Sequence, residues 1–190
     1  MSSISIRCIA FLAFMAVSAA PLAASTVLPV DFARLCQTAH HVVAGQIVEI
    51  SPLRDEQTGH IYSDVAILVS HSSPDSLAGH RYTFRMIGGE MEGKRLSIVD
   101  FPQLQLNDRV VLFLNDRTST VFGPTIGLWQ GVFFVDDSEN ATVVDHLRHP
   151  VVGVRQEQLL RSAKSAGTVG GISLDDFFDE IKAHRSTASR

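Results

Sequence analysis

The chain has 190 residues, of which 45% are hydrophobic and 19% are charged, and its formal net charge is −4 at pH 7. This length fits one ordinary domain, or one domain with appendages, and the composition is too apolar for a globally disordered protein. Lys and Arg together number 16, against 20 acidic residues. That balance argues against a dedicated nucleic-acid-binding protein, whose affinity depends on clustered cations at phosphates.

The first 25 residues have the organisation of a secretory signal peptide. Met1–Arg7 is a short polar start with one cation, Cys8–Val17 is an unbroken apolar run, and Ser18–Ser25 is rich in small residues. This order predicts export, with cleavage after Ala24 or Ser25. The alternative is an uncleaved membrane anchor, because the charge-free stretch is almost long enough to span a bilayer. Cleavage would give a periplasmic or extracellular chain that is no longer attached to a membrane.

Cleavage would leave Cys36 as the only cysteine, since Cys8 lies in the predicted signal peptide. A single cysteine cannot form an internal disulfide, so burial of apolar surface must stabilise the fold. We expect Cys36 to be a small buried hydrophobe on a short helix. Two alternatives are a disulfide between two chains and a reactive thiol assisted by His40, which follows one helical turn later.

The mature chain begins with a predicted helix and a predicted hairpin. The helix is Asp31–Ala39, where apolar residues recur at helical spacing and Asp31 is suited to the N-cap position. β-branched residues then predict two strands, His41–Ile50 and Ile61–Val69, which the polar loop Ser51–Gly59 joins into a hairpin.

Further strands are predicted downstream. Arg81–Ile87 alternates apolar and polar residues, which is typical of a strand with one face in water. Arg109–Leu114 is almost wholly apolar, as expected in the middle of a sheet. Thr125–Val135 contains two glycines that either bend the strand or form a turn within it, and Ala141–Val144 is a short final strand.

Six or seven short strands with frequent turn signals predict a mainly β fold. We expect a small closed or partly open antiparallel β-barrel, OB-like in type, over residues 26–150, with a short N-terminal helix. A barrel is preferred because no disulfide protects exposed strand edges. A β-sandwich is the alternative, since periodicity does not record which strands pair.

Residues 151–190 are predicted to form a C-terminal helical extension. Val154–Ala166 has a helix-like pattern, and a glycine-rich joint separates it from a last helix that Ser173 caps. The last helix carries one apolar stripe, which consists of Leu174, Phe177, Phe178 and Ile181. We expect this stripe to pack on the barrel; the alternative is a helix presented to another protein.

Three segments of the predicted β domain carry a distinctive combination of motifs. They are the hairpin His41–Val69, the stretch Ile87–Leu114 with its Gly-Gly-Glu turn and Val-Leu-Phe-Leu strand, and Ile126–Val135 with the pattern Gly-Leu-x-Gln-Gly-x-Phe-x-Val. In this order they resemble a family of uncharacterised exported bacterial proteins, in which a helix like Ser173–Ile181 is also typical. The resemblance covers about residues 40–136. It implies an exported all-β module without an assigned activity.

The opening hairpin is also similar, more weakly, to the OB-like barrels of the netrin and tissue-inhibitor type. Those barrels likewise pair a Val-Val-x-Gly-x-Val strand with a second strand across a polar loop. The resemblance implies inhibition through an amino-terminal cysteine that reaches the zinc of a protease. Here the mature chain would begin at Ser25 or Thr26, and Cys36 lies further on. The chain therefore departs from the pattern that such inhibition requires.

The common catalytic motifs are missing from the sequence. There is no G-x-S-x-G, H-E-x-x-H, Walker or C-x-x-C motif. Gly88, Gly89 and Gly93 are interpreted as a structural tight turn, because no helix with a Lys-Ser/Thr pair follows them. His146 and His149 would share a side only on a helical turn, so we expect no metal site. No cofactor is predicted.

Trp129 is the candidate binding residue. It is the only tryptophan, and it lies between Gly127 and Gly131, where a bend in the backbone would expose its ring. Arg85 and Glu90 flank the double-glycine turn and are candidates for a polar rim. The alternatives are an ordinary core tryptophan and two solvated surface charges.

We therefore expect an exported, non-catalytic binding module that contacts another envelope or secreted protein. One alternative is an enzyme with an unconventional site, such as a His-based metal hydrolase, which needs polar groups that converge in a pocket. Another is a structural subunit that assembles through the C-terminal helix and leaves Phe177 and Phe178 uncovered in the single chain. The sequence specifies neither the ligand nor the oligomeric state.

Overall fold

The computed structural model describes residues 28–116, 122–136, 141–162 and 170–187, so the predicted signal peptide lies outside it. The described residues form two α-helices and ten strands. The helices are α1 (Phe32–Thr38) and α2 (Leu174–Thr187). The strands are β1 (His41–Arg54), β2 (Ile61–Ser73), β3 (Arg81–Ile87), β4 (Gly89–Met91), β5 (Lys94–Leu96), β6 (Arg109–Leu114), β7 (Val132–Val135), β8 (Val143–Val144), β9 (Val151–Arg155) and β10 (Gln158–Arg161). The prediction of a mainly β fold is confirmed.

Six strands form one antiparallel sheet in the order β3-β2-β1-β6-β7-β8, and two small hairpins, β4–β5 and β9–β10, lie beside it. β1 and β2 each contain one extra residue where their register shifts: Val48 in β1 and Ser70 in β2. Such bulges bend a strand and increase its twist. They lie in the two strands that contribute most of the length of the sheet.

One end of β3 approaches the segment that precedes β7. The amide of Ile87 donates a hydrogen bond to the carbonyl of Phe122 at 3.2 Å, and Thr125 forms an isolated bridge to Leu114 of β6. These contacts bring the β3 edge towards the opposite side of the sheet. Within the described residues, however, the ladder between the two edges is not continuous, so the sheet is not a closed barrel there.

Both faces of the sheet are buried, because neighbouring residues of its central strands point into different cores. Val42 and Ala44 of β1 enter one core and Val43 enters the other. The helix-side core also contains the buried residues of α1 and α2. The inner core contains the apolar face of β3, which is Tyr82, Phe84 and Met86, as the alternation of that strand predicts. The sheet thus has an apolar core on each of its two faces, and the helices cover the helix-side core.

Helix α2 packs on the sheet with its whole apolar stripe. Leu174, Phe177, Phe178 and Ile181 are between 0% and 6% exposed. The ring of Phe177 lies 5.4 Å from that of Phe32 and 5.5 Å from that of Phe133, between centroids. Ser173 caps the helix, since its Oγ accepts the amide of Asp176 at 3.1 Å. The single chain therefore covers the stripe, as expected, and Phe177 and Phe178 are not uncovered as the assembly alternative requires.

The helix predicted over Val154–Ala166 is also wrong. Residues 151–161 form the β9–β10 hairpin, and residues 163–169 lie outside the described part of the chain. The two turn residues of this hairpin, Gln156 and Glu157, have φ values of 48° and 67°. Positive φ values at both central residues are what a two-residue hairpin turn requires. The carbonyl of Glu157 accepts the amide of Phe32 at 2.9 Å. The hairpin thus satisfies a donor at the start of α1, which local helix propensity does not record.

The first hairpin is longer than its sequence pattern predicts. β1 continues through Pro52 to Arg54, which shortens the predicted loop Ser51–Gly59, and β2 continues past Val69 to Ser73. Pro52 is tolerated because β6 pairs only with residues His41–Gln46 of β1, which leaves the far end of β1 at an open edge. No helix in the described part of the chain is long and apolar enough to cross a membrane.

Candidate functional site

Trp129 lies on a short 3-10 turn, Leu128–Gly131, directly before β7. Of the two sequence interpretations of Thr125–Val135, a turn within the strand is the one observed. The Trp129 side chain is partly exposed. Its ring centroid lies 6.3 Å from that of His146, with the two planes inclined at 49°. Trp129 is therefore not an ordinary core residue; it is held at the surface against an imidazole.

The glycines on either side of Trp129 are required by the geometry of this turn. Gly127 has a φ of 62°, in the left-handed region that glycine adopts without steric cost. A Cβ on Gly131 would lie 2.6 Å from the carbonyl oxygen of Ile126. Between them, Gln130 binds the N-terminal segment: its Oε1 accepts the amide of Val30 at 2.7 Å, and its Nε2 donates to the carbonyl of Leu28 at 3.0 Å. The turn is thus fixed on both sides of the indole.

His146 is carried by a second turn, which the buried carboxylate of Asp145 organises. Asp145 is 3% exposed, and its Oδ1 accepts the amides of Leu147 and His149, each at 2.9 Å. Its Oδ2 lies 3.0 Å from Nε of Arg161 on β10. The sequence analysis did not single out Asp145. An Asp that bonds amides two and four residues later is a local turn signal, but its burial depends on β10.

The neighbours of Trp129 form a mixed apolar and charged surface. Leu147 is 62% exposed, and the guanidinium of Arg148 lies 3.7 Å from the centroid of the Phe134 ring. Burial lowers the pKa of His146, which keeps this imidazole neutral at pH 7. We call Trp129, His146, Leu147 and Arg148 the Trp129 surface. It consists of two adjoining turns, which carry both polar side chains and partly or fully exposed apolar ones.

A loop next to the Trp129 surface presents further apolar side chains. Arg148 Nη2 lies 3.9 Å from Oδ1 of Asp108. Asp108 is the last residue of the loop that leads into β6. Leu106 in that loop is 57% exposed, and Val99 is 82% exposed. The contact between Arg148 and Asp108 brings the end of this loop close to the Trp129 surface.

Arg85 and Glu90 do not belong to the Trp129 surface. Arg85 on β3 faces Asp64 on β2 in register and forms two hydrogen bonds with its carboxylate, at 2.7 and 2.9 Å. These bonds hold the pKa of Asp64 below its ordinary value. Glu90 is exposed on β4, opposite Arg95. Arg85 thus forms a cross-strand ion pair with Asp64 on the outer face of the sheet.

Gly88 and Gly89 lie where β3 passes into β4, with φ values of 105° and 140°. A Cβ on Gly89 would lie 2.5 Å from Oγ of Ser63, which itself donates to the carbonyl of Gly88 at 2.8 Å. Both glycines line a cavity of about 80 Å³ together with Ile98 and Phe101. The absence of a side chain at Gly89 lets the backbone pack closely against Ser63 at this end of the inner core.

The histidines are distributed over separate places. His40 and His41 make a T-shaped contact, 4.6 Å between ring centroids, and line a cavity of about 220 Å³ with Tyr82. His149 lies 3.6 Å from the carboxylate of Asp145. Within the residues that the structure describes, no three His, Cys, Asp or Glu side chains are grouped so as to hold a metal ion.

Cys36 is a free, fully buried thiol in α1. Burial raises its pKa to about 12, so the thiolate form is disfavoured at neutral pH. The expectation of a small buried hydrophobe is confirmed. The alternative of a reactive thiol assisted by His40 is wrong, because a nucleophilic cysteine needs a lowered pKa and an accessible sulfur.

Comparison of the chain with protein-family models, with curated proteins and with solved structures gave no match.

Proposed function

We propose that this protein is an exported binding module that contacts another envelope or secreted protein through the Trp129 surface. The observation that carries the proposal is the position of Trp129, which a glycine-bounded turn holds partly exposed beside His146. Large aromatic residues at the centre of a mixed surface are the usual energetic anchors of protein interfaces. Leu147 and Arg148, which follow His146 in the chain, add an exposed apolar group and an exposed cation to this surface.

The surface favours a macromolecular partner over a small ligand. Small molecules bind in concave pockets that bury most of their surface. The Trp129 surface is instead made of two turns, and the cavities described above lie next to other residues. A partner protein that covers Trp129 and Leu147 would remove exposed apolar area from water.

Export and a barrel-like fold are part of the same proposal. The signal-peptide pattern of residues 1–25 and the motifs shared with the uncharacterised exported family support export. The strand order β3-β2-β1-β6-β7, together with the hydrogen bond from Ile87 to Phe122, supports a partly open OB-like barrel. The covered stripe of α2 favours a chain that folds without a second copy.

The experiment is affinity capture from an envelope extract with the mature chain, followed by binding measurements on the recovered partner. Trp129→Ala should weaken binding by about 30-fold, which corresponds to the 2 kcal/mol of an interface anchor. Leu68→Ala is the matched control, because Leu68 is 50% exposed but lies on β2. Recovery of no partner would overturn the proposed function. Equal binding by the Trp129 variant would overturn the assignment of this surface.

Tryptophan fluorescence gives a check that needs no partner. Because the Trp129 side chain is partly exposed, we expect acrylamide to quench its emission in the free chain. Emission that is blue-shifted and fully protected from the quencher would show a buried indole and would contradict a role as a surface contact.

A further inference from the structure

A cluster of three side chains connects β2 with the first turn of α2. Oγ of Ser70 lies 3.0 Å from Nδ1 of His71, and Nε2 of His71 lies 3.0 Å from Oδ1 of Asp175. A hydroxyl, an imidazole and a carboxylate in hydrogen-bonded series are the groups that activate a serine nucleophile. This cluster is separate from the Trp129 surface, and no motif in the sequence marks it.

The bulge in β2 is what brings Ser70 and His71 together. Consecutive residues of a regular strand point to opposite faces, so a hydroxyl and an imidazole at neighbouring positions do not normally meet. Here Gly45 pairs with Val69 and Ala44 pairs with His71, which leaves Ser70 as the extra residue. Bulges re-aim side chains in this way and are frequent next to active sites.

The two contacts define where the protons lie when His71 is neutral. An ionised carboxylate only accepts hydrogen bonds, so Asp175 favours the imidazole form that carries its proton on Nε2. Nδ1 is then an acceptor and faces the Ser70 hydroxyl. The same hydroxyl lies 3.2 Å from the carbonyl oxygen of Ala44. Its single proton is therefore shared between two acceptors, of which the imidazole nitrogen is the nearer.

Packing orients the imidazole and fixes the helix that carries the carboxylate. The ring of His71 lies 5.2 Å from that of Phe178, between centroids, and Phe178 belongs to the buried stripe of α2. Asp175 lies in the first turn of the same helix, which Ser173 caps. Because α2 is docked on the sheet, it supplies the carboxylate from a rigid element.

We propose that Ser70 is an activated nucleophile that hydrolyses small activated carboxylic esters. Ser70 Oγ attacks the ester carbonyl while His71 Nδ1 takes the hydroxyl proton. The carbon–oxygen bond to the leaving alcohol breaks, and His71 returns the proton to that alcohol. Water then attacks the acyl-serine, again through His71, and releases the carboxylic acid and free Ser70. Asp175 acts as the positioning residue for the imidazole. This inference goes beyond the proposed binding function and would give the chain a reaction of its own.

The exposure of the cluster sets the substrate class. The side chains of His71 and Asp175 are 36% and 85% exposed, so the reacting groups stay in contact with water. Electrostatic stabilisation of an oxyanion is weak in water. The leaving group must therefore be a good one, such as a phenolate, and the acyl group must be short. Peptides and unactivated esters are not expected to react.

The test is covalent labelling of the mature chain with a fluorophosphonate, combined with hydrolysis of p-nitrophenyl acetate. We expect one label per chain, located on Ser70 by peptide mass spectrometry, and loss of labelling and hydrolysis in Ser70→Ala. The matched control is Ser51→Ala. The Ser51 hydroxyl also donates a hydrogen bond, but its acceptor is the carboxylate of Glu49 and not an imidazole. Labelling spread over several serines, or hydrolysis that Ser70→Ala leaves unchanged, would overturn the proposal.

Asp175→Asn tests the positioning role. Loss of the charge should slow labelling by about 10-fold, which is less than the roughly 10²–10⁴-fold of the proton transfer itself because Asp175 acts only through His71. Asp175→Glu should restore most of the rate, because it keeps the carboxylate. The thermal midpoint of each variant shows whether α2 is still docked. An unchanged labelling rate in a folded Asp175→Asn variant would overturn the role of Asp175, and an unreactive wild-type chain would overturn the proposal without affecting the Trp129 surface.

Discussion

At the scale of single residues, burial decides the chemistry of Cys36. Its side chain is 0% exposed in the helix-side core, and desolvation raises its pKa to about 12. The sulfur is thus neither ionised nor accessible in the folded chain. A disulfide between two chains would require that core to open.

We predict that a thiol reagent such as DTNB reacts with the folded mature chain only through unfolding. The expected result at pH 8 is negligible modification in buffer and one equivalent in concentrated urea. Modification of the folded chain as fast as that of the unfolded chain would contradict the burial of Cys36.

The same thiol makes stability depend on alkaline pH. The folded pKa of about 12 lies above the ordinary value of 9.0, so the folded state retains the proton longer than the unfolded state does. Its contribution is complete below pH 9 and is lost as the pH rises towards 12. The difference in unfolding free energy between the wild type and Cys36→Ala should therefore shift against the wild type over this range. Parallel pH curves for the two proteins would contradict this.

Gly89 offers a second residue-level prediction. Gly89→Ala should destabilise the fold by about 2 kcal/mol or more, through left-handed backbone strain and the displacement of Ser63 from its bond to Gly88. Gly93→Ala is the control, because Gly93 also has a positive φ but a Cβ there meets nothing within 4 Å. Urea denaturation compares the two variants. Equal costs would show that the contact with Ser63 does not matter.

At the scale of elements, Arg185 connects the last helix with the first. Its guanidinium donates to the carbonyls of Cys36 and Ala39, at 3.0 and 2.7 Å, where α1 ends. At the end of α1 no further helical amide donates to these carbonyls. The guanidinium of Arg185 on α2 supplies the hydrogen bonds instead. The two hydrogen bonds join residues that are 149 and 146 positions apart in the chain, and no local pattern predicts them.

Arg185→Ala should lower the unfolding free energy by about 1–3 kcal/mol, since it leaves partly buried carbonyls without a donor. Lys182→Ala is the matched control on the same helix. Lys182 pairs with Asp75 at 3.7 Å, with side chains that are 52% and 78% exposed, and such surface pairs contribute little. A cost for Lys182→Ala as large as that for Arg185→Ala would contradict this account.

Elements whose pattern reflects one environment were predicted correctly, and elements that depend on a distant contact were not. The alternation of Arg81–Ile87 records a face in water and a face in the inner core, and its burial follows that pattern. The hairpin at 151–161 was predicted as a helix because its turn is stabilised by α1, far away in sequence. For the candidate site, the sequence indicated Trp129 through its flanking glycines. It did not reveal Asp145 or Asp175, whose partners come from other elements.

At the scale of the whole molecule, α2 and the sheet share one core. Phe177 and Ile181 of α2 are buried together with Phe113 of β6 and Phe133 of β7. Removal of the helix would expose these aromatic side chains of the sheet. The helix is therefore part of the cooperative unit, although it lies in the segment that the sequence analysis assigned to an extension.

We predict that the mature chain unfolds in a single transition. Trp129 fluorescence, which reports on the β7 side of the sheet, and far-UV circular dichroism, which includes α2, should give coincident urea curves. An early loss of helical signal, before the fluorescence changes, would show that α2 undocks independently.

The extra residue in β2 has a consequence for how the chain tolerates length changes. Up to that point the odd-numbered Val65, Ile67 and Val69 point inward; beyond it the even-numbered Ser72 is buried. Without Ser70, Val69 and His71 would be direct neighbours, and β2 would keep its present pairing with β1, so Ser72 would stay buried opposite Val43. A deletion of this one residue should therefore straighten β2 and leave its other side chains on their present faces, whereas a deletion in the regular part of the ladder would turn side chains to the opposite face.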